Sequence, residues 1–299
     1  MKRLARLHVL FHRAIMKALD NDALNLAQSC AYSAIVSLFP ALIVAAVVIG
    51  LLPDTAPIRY QFGALFDRIL PPDVSPLLQG YFVPSAENAR PVRVIVAAFF
   101  VSVTGASSVI ATLMEGLRRA AGLPPNCWNT FWSRRLRAYL LVPLSLVPLA
   151  IASLIVVFGH YITVWLGMHV DSAIRTPVFV IALIIRWTVA LTGSVALIAL
   201  IYHMGTPTQT KWHRTLPGAI FATFSWFLTT LAFGWYVTRF ANYSQVYGSL
   251  GAAIALLFWL YLISLSVLCG AEFNAQFHED LTTPVPEVVD STARNAPHG

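Results

Sequence analysis

Charge is what this sequence has least of. Only 11% of its 299 residues are Asp, Glu, Lys or Arg, against roughly 25% in a soluble globular domain. Hydrophobic residues supply 58% and mean hydropathy is +0.70, so the chain lacks the polar surface to cover itself in water. Cysteine is scarce as well. Cys30, Cys127 and Cys269 form no CxxC pair, which argues against a disulfide framework and fits a reducing environment. Also missing are a GxxxxGK[ST] phosphate loop, a GxSxG nucleophile elbow and a DxD-like carboxylate pair. The histidines (His8, His12, His160, His169, His203, His213, His278 and His298) are scattered, with no HxHxDH-type cluster. A zinc-dependent hydrolase needs closely spaced ligands around a water-activating metal, and His8 with His12 offers only two. Neither a catalytic residue nor a metal or other cofactor is expected.

What the chain does have is long apolar runs. Several approach 20 residues, enough at about 1.5 Å per helical residue to cross a hydrocarbon core of roughly 30 Å. The interrupted alternation of an outer-membrane barrel is absent. The expected fold is all-α: a polytopic membrane protein with six transmembrane helices over about 31–52, 92–114, 138–158, 178–202, 216–238 and 247–271. A membrane domain over 21–277 leaves no room for an ordinary soluble domain.

Basic residues set the expected orientation. The odd-numbered extramembrane segments hold Lys2, Arg3, Arg6, Arg13, Lys17; Arg118, Arg119, Arg134, Arg135, Arg137; Lys211, Arg214; and Arg294. The alternate segments hold only Arg59, Arg68, Arg90, Arg93, Arg175 and Arg239. The positive-inside rule therefore places both termini in the cytoplasm. The formal net charge of +7 then reads as topology and attraction to anionic lipid. No basic, aromatic surface motif calls for a nucleic-acid partner.

Residues 1–20 are too interrupted, by His12, Arg13 and Lys17, for a cleaved signal. At 100° per residue Leu4, Leu7, Phe11, Ile15 and Ala18 share one face, and Lys2, Arg3, Arg6, Arg13 and Lys17 gather on another. That pattern predicts an N-terminal amphipathic helix lying in the interface against anionic headgroups, either as a topology anchor or as a lipid-sensing element. "DND" at 20–22 offers a cap and elbow before the first span. Residues 53–91 are Pro-rich and face outward, with 58–70 amphipathic enough for a short surface helix. Residues 278–299 read as a disordered cytoplasmic tail.

Arg186 stands inside the fourth apolar run. A central Arg costs roughly 2.5–3.5 kcal/mol on insertion scales, and each Leu, Ile, Val or Phe returns about 0.3–0.6, so this segment inserts despite its charge. Once inserted, the guanidinium is expected to point inward toward acceptors, water or a ligand anion; it is either structural or the lining of a functional cavity. Thr104, Ser108, Ala111 and Glu115 fall on one helical face. Ser33, Ser37 and Pro40 share another, with Pro40 expected to kink the first span. Gly248, Gly251, Ala252, Ala255, Ser266 and Gly270 make a small-residue groove. Such residues either let helices approach closely or surround a polar path. Glu115, followed by Arg118 and Arg119, is either simply solvated or a gate or proton relay; Glu272 reads as a helix-end residue near cytoplasmic solvent or as a functional carboxylate.

The last run, "YGSLGAAIALLFWLYLISLSVLCGAEFNAQF", carries a resemblance through Tyr247, Gly248, Ser249, Leu250, Gly251, Trp259, Leu260, Tyr261, Gly270, Ala271 and Glu272. It is similar to the most characteristic segment of the YihY/virulence factor BrkB family of bacterial membrane proteins. "AYSAIVSLFPAL" resembles the family's first-span motif through Tyr32, Ser37, Leu38, Phe39 and Pro40. "IYHMGTPTQTKWHRTLPGAIFATFSW" resembles its fourth-to-fifth-span junction through Tyr202, Pro207, Arg214, Pro217, Gly218 and Ala219. Arg186–Trp187 resembles a basic position early in the fourth span. The resemblance covers about residues 15–277. It implies a six-span bacterial inner-membrane protein, from a family that has been labelled ribonuclease BN, linked to serum resistance or suspected of transport. Three functions follow as expectations: translocation of a small solute, ion or lipid, an envelope-integrity scaffold, and, least favoured by the residues, a nuclease.

Overall fold

The structure, a computed structural model, describes residues 2–50, 92–128, 131–169, 172–207, 211–240 and 249–282. No strand occurs among them. The long helices are α1 (Lys2–Asp20), α2 (Ala23–Gly50), α3 (Val92–Ala120), α4 (Phe131–His169), α5 (Ser172–Gly205), α6 (Leu216–Phe240) and α7 (Ser249–Thr282). Six of them, α2 to α7, are long and apolar enough to cross a membrane, so the all-α, six-span fold with an added N-terminal helix is present as the composition dictates.

The helices outrun the apolar segments. The first begins at Ala23 rather than 31, the second continues through Arg118 and Arg119 to Ala120, and α4 spans 39 residues, roughly 58 Å at 1.5 Å each. The last runs to Thr282, so residues 278–282 are helical rather than part of the tail. The reason is local: His278 Nδ1 lies 2.8 Å from the Asn274 carbonyl and Gln276 Nε2 donates to Glu279 at 3.1 Å, spacings that support a helix after its apolar run has ended. Pro40 sits inside an unbroken α2. The rest of the tail, the surface helix expected over 58–70, and Tyr247 and Gly248 lie outside the described residues.

Burial is concentrated at one end. The fully enclosed core joins Ala23, Ala27 and Cys30 of α2, Leu113 and Leu117 of α3, Ala199 and Tyr202 of α5, Ala219 and Ala222 of α6, and Leu268 and Ala271 of α7. Ile110, Met114, Ala138 and Leu141 extend it toward α4. All lie near the end of the bundle that carries α1. Farther along the same helices Phe99, Phe100, Leu154, Ile155, Ile181, Ile184, Leu228, Leu231 and Phe258 are exposed. This is the surface expected of helices bathed in lipid.

The elbow between α1 and α2 forms where "DND" places it. Asp22 adopts φ 65°, a left-handed conformation that Asp tolerates better than most residues, and its Oδ1 accepts from Asn25 Nδ2 at 2.6 Å. α1 docks along the edge of its apolar face. Leu10 and Ala14 are buried against Phe273 and the partly buried Phe221 and Phe277, and Ala18 joins the main core, while Phe11 and Ile15 remain exposed. Two alanines let α1 approach α7 closely, and larger side chains on that face would hold it off. Phe11 keeps only an edge on Phe221, at 5.9 Å between ring centroids.

Candidate functional site

At the α1 end of the bundle, the motif residues of three helices converge. Pro217 occupies the second position of α6, where its missing N–H costs the helix nothing. The next N–H, of Gly218, is donated to Asn274 Oδ1 on α7 at 3.1 Å. A Cβ on Gly218 would stand 2.4 Å from the Asn274 Cβ and 2.6 Å from the Gly270 carbonyl; one on Gly270 would stand 2.5 Å from the Ala222 Cβ. These two glycines are therefore required for α6 and α7 to touch backbone to backbone. The Tyr202 hydroxyl, from α5, donates to the Val267 carbonyl of α7. Farther along the pair, Trp259 Nε1 donates to Thr230 Oγ1 at 3.4 Å, and Gly251 is buried.

This junction borders a cavity of about 650 Å³ whose polar lining includes Lys17, Asn21, Arg119, Thr206, Arg214, Thr215, Glu272, Asn274 and His278. Glu272 is not a solvated helix end. It is only 3% exposed, and its Oε1 accepts from Asn21 Nδ2 at 2.7 Å. The elbow lies against α7 at Glu272 and covers the carboxylate on that side.

Glu115 is neither free nor simply solvated. It receives Arg118 Nη2 at 2.7 Å, Arg118 Nε at 3.1 Å, Arg119 Nε at 3.2 Å and Arg134 Nη1 at 3.2 Å. Arg118 is itself buried and reaches the Leu123 carbonyl. Arg119 also approaches Asp22 Oδ2 at 3.5 Å and donates to the Asn21 carbonyl at 3.2 Å. One carboxylate thus ties α3 to α4 and, through Arg119, to the elbow. Charge-assisted pairs of this kind are the stronger hydrogen bonds.

The hydroxyl stripe of α3 turns toward α4. Arg135 Nη2 donates to Ser108 Oγ at 3.2 Å and the Tyr139 hydroxyl reaches Thr104 Oγ1 at 3.5 Å. Ser37 is buried where Gly105 lets α2 meet α3; a Cβ on Gly105 would stand 2.4 Å from the Ser37 Cβ. Tyr32, Ser33, Thr104 and Ser108 line a shallow groove of about 360 Å³ between these two helices.

Arg186 lies elsewhere. It is half-buried between Ile185 and Trp187, which are 54% and 53% exposed. It stands two turns from Gly193, whose missing side chain accommodates Ala152 of α4 at 2.6 Å from the ideal Cβ position, so its face of α5 is the one turned toward α4. Among the described residues it has no hydrogen-bond or ion-pair partner. Leu117 packs on Gly205, and counting back along the parallel helices α3 and α5 puts Arg186 roughly 9 Å beyond Thr104. The groove that Thr104 and Ser108 line includes neither Arg186 nor Glu115 among the described residues.

Asn21, Asn274, Lys17 and Arg214 are the site residues that pattern reading missed as a group. The only signals were the elbow itself and the spacing of Asn274, four residues after Gly270. Among the described residues no three His, Cys, Asp or Glu side chains stand together as a metal-ligand group.

Comparison with known proteins gives relatives but no solved structure, since none matches this chain. The chain is 29% identical over 180 residues to the ribonuclease-like protein YfkH of Bacillus subtilis, a stretch covering 60% of this chain and 64% of that protein. It is 26% identical over 258 residues to a UPF0761 membrane protein of Tolumonas auensis, covering 85% and 80% of the two chains. Over 281 residues it is 26% identical to one from Alteromonas mediterranea, covering 92% and 89%. The sequence model of virulence factor BrkB matches residues 14–292. Spanning almost the whole chain, that match makes this a membrane protein of the virulence factor BrkB family.

Proposed function

We propose that this protein translocates a small anionic solute or an anionic lipid headgroup, that Arg186 is its contact within the bilayer, and that it is not an enzyme. One observation carries this reading: Arg186 is half-buried on the face of α5 that packs on α4, and it has no hydrogen-bond or ion-pair partner among the described residues. A charge kept at membrane depth at a cost of roughly 2.5–3.5 kcal/mol, and left unpaired, is by default a functional group. Among the described residues the enclosed core lies at the α1 end, which closes the bundle on that side. The basic-residue bias supports the bacterial inner membrane with both termini, and hence the sealed end, in the cytoplasm.

The test uses purified protein in liposomes with two probes, fluorescent phosphatidylglycerol bleached from outside by dithionite, and entrapped inorganic phosphate. Wild type is expected to move at least one of them. Arg186→Ala and Arg186→Leu are expected to reduce movement to that of protein-free vesicles while assembling normally. Undiminished flux in either variant, or no movement of either probe by wild type, overturns the proposal.

A scaffolding role draws support from α1, where Phe11, Ile15 and Leu19 remain exposed beside the docked face, a strip that suits lipid or a partner helix. The nuclease reading rests on names, the family's ribonuclease BN label and the ribonuclease-like YfkH, while the described side chains offer no ligand cluster for a metal-activated water. Loss of flux without loss of co-purifying partners separates translocation from scaffolding.

A further inference from the structure

Glu272 is a buried carboxylate with an unmet demand. It accepts one hydrogen bond, from the neutral Asn21, although a carboxylate offers about four acceptor sites. Among the described residues no Lys, Arg or His comes within 4.0 Å of it. Burying an unpaired charge is costly, and the side chain borders the 650 Å³ cavity, from which a cation can reach it. Among the described residues no group of three His, Cys, Asp or Glu side chains forms around Glu272, so the site is not assigned to a metal ion. An ammonium group needs only one carboxylate.

The same cavity is lined by Lys17 and Arg214, both exposed and without an ion-pair partner among the described residues. Arg119, also on its wall, is already engaged by Glu115 and Asp22. Thr215 lines the cavity immediately before α6 begins at Leu216, adding the positive end of a helix dipole. The wall therefore offers a buried anion together with exposed cations and a helix N-terminus. We propose that this cavity binds a zwitterion carrying a primary amine and a phosphate, the chemistry of phosphoethanolamine, with the amine on Glu272 and the phosphate on Lys17 and Arg214, which line the same cavity. The source of that chemistry is a free metabolite or a phospholipid headgroup. The site is independent of Arg186 and stands or falls separately from flux.

The experiment measures binding to purified full-length protein by titration calorimetry with phosphoethanolamine, ethanolamine and inorganic phosphate. Wild type is expected to bind phosphoethanolamine at least tenfold more tightly than either half. Glu272→Gln, which keeps an acceptor for Asn21, is expected to lose that preference while retaining phosphate; Arg214→Gln, at an exposed position outside the packed core, is expected to weaken both phosphate and phosphoethanolamine by about tenfold. Native mass spectrometry with phosphatidylethanolamine and phosphatidylglycerol distinguishes the sources. Selective retention of phosphatidylethanolamine marks a headgroup site, and soluble binding alone marks a metabolite site. Equal affinity for phosphoethanolamine and its halves with no lipid selectivity, an unchanged preference in Glu272→Gln, or unchanged phosphate binding in Arg214→Gln overturns the proposal. Should Glu272→Gln fail to fold, the wild-type comparison and Arg214→Gln decide it.

Discussion

Asn21 Nδ2 donates to Glu272 Oε1 at 2.7 Å across 251 positions of sequence. This one contact joins the elbow after the first helix to the last helix, well before that helix ends at Thr282, and it supplies the buried carboxylate with its hydrogen bond. Removing the donor leaves a buried acceptor unsatisfied, which costs about 1–3 kcal/mol. Asn21→Ala is expected to lower thermal stability in detergent by that amount. In a double-mutant cycle with Glu272→Ala the two losses are expected to be non-additive. Additive losses would show the bond to be idle.

The α6–α7 junction gives a steric prediction. Gly218→Ala and Gly270→Ala must each push apart two helices in backbone contact, at a cost of about 1–3 kcal/mol or more. Gly234, on the same α6, has nothing within 4 Å of its ideal Cβ position. Gly234→Ala is expected to be neutral or to stabilise by up to about 1 kcal/mol through helix propensity. Melting curves of the three variants check the contrast.

Glu115 neutralises a cluster of guanidiniums that would otherwise repel one another. Glu115→Gln leaves Arg118, Arg119 and Arg134 facing a neutral amide, and is expected to destabilise the α3–α4 contact by about 1–2 kcal/mol. The side chain is 21% exposed, so part of this loss is screened. The difference from wild type is therefore expected to shrink between low and high salt. A salt-independent loss would assign the effect to packing instead.

Accessibility separates the two sides of α5. In a cysteine-free background, Arg186→Cys and Val189→Cys are expected to react with a membrane-impermeant maleimide. Ile185→Cys and Leu183→Cys, at lipid-exposed positions, are expected to remain unlabelled. Equal labelling at all four positions would mean that water does not follow the inner face.

Much of the architecture was legible because hydrophobic length is a local property. Any helix-forming run near 20 apolar residues satisfies its own backbone and crosses a bilayer, and so the six spans follow from composition. Their ends did not. The continuation of α3 through Arg118 and Arg119 rests on Glu115 and the elbow, and that of α7 past Phe277 on side-chain pairs after the apolar run has ended. The pattern predicts Arg186 on an inward face, because a charge in hydrocarbon has one economical direction. It could not place Glu272, since the same residue is solvated at a free helix end and sealed beneath an elbow.

The sequence by itself determined that this chain lives in a membrane as α-helices and that it carries an amphipathic first helix, both written in composition or spacing over a few turns; that Gly218 and Gly270 stand in motifs came from the resemblance to the family. Only the tertiary structure decided which face of α1 docks, that Glu115 is shared by three arginines, and that Asn21 meets Glu272. Those outcomes depend on which distant segments pack together, and in an apolar bundle many packings satisfy the same hydrophobic pattern until small residues and buried polar pairs select one.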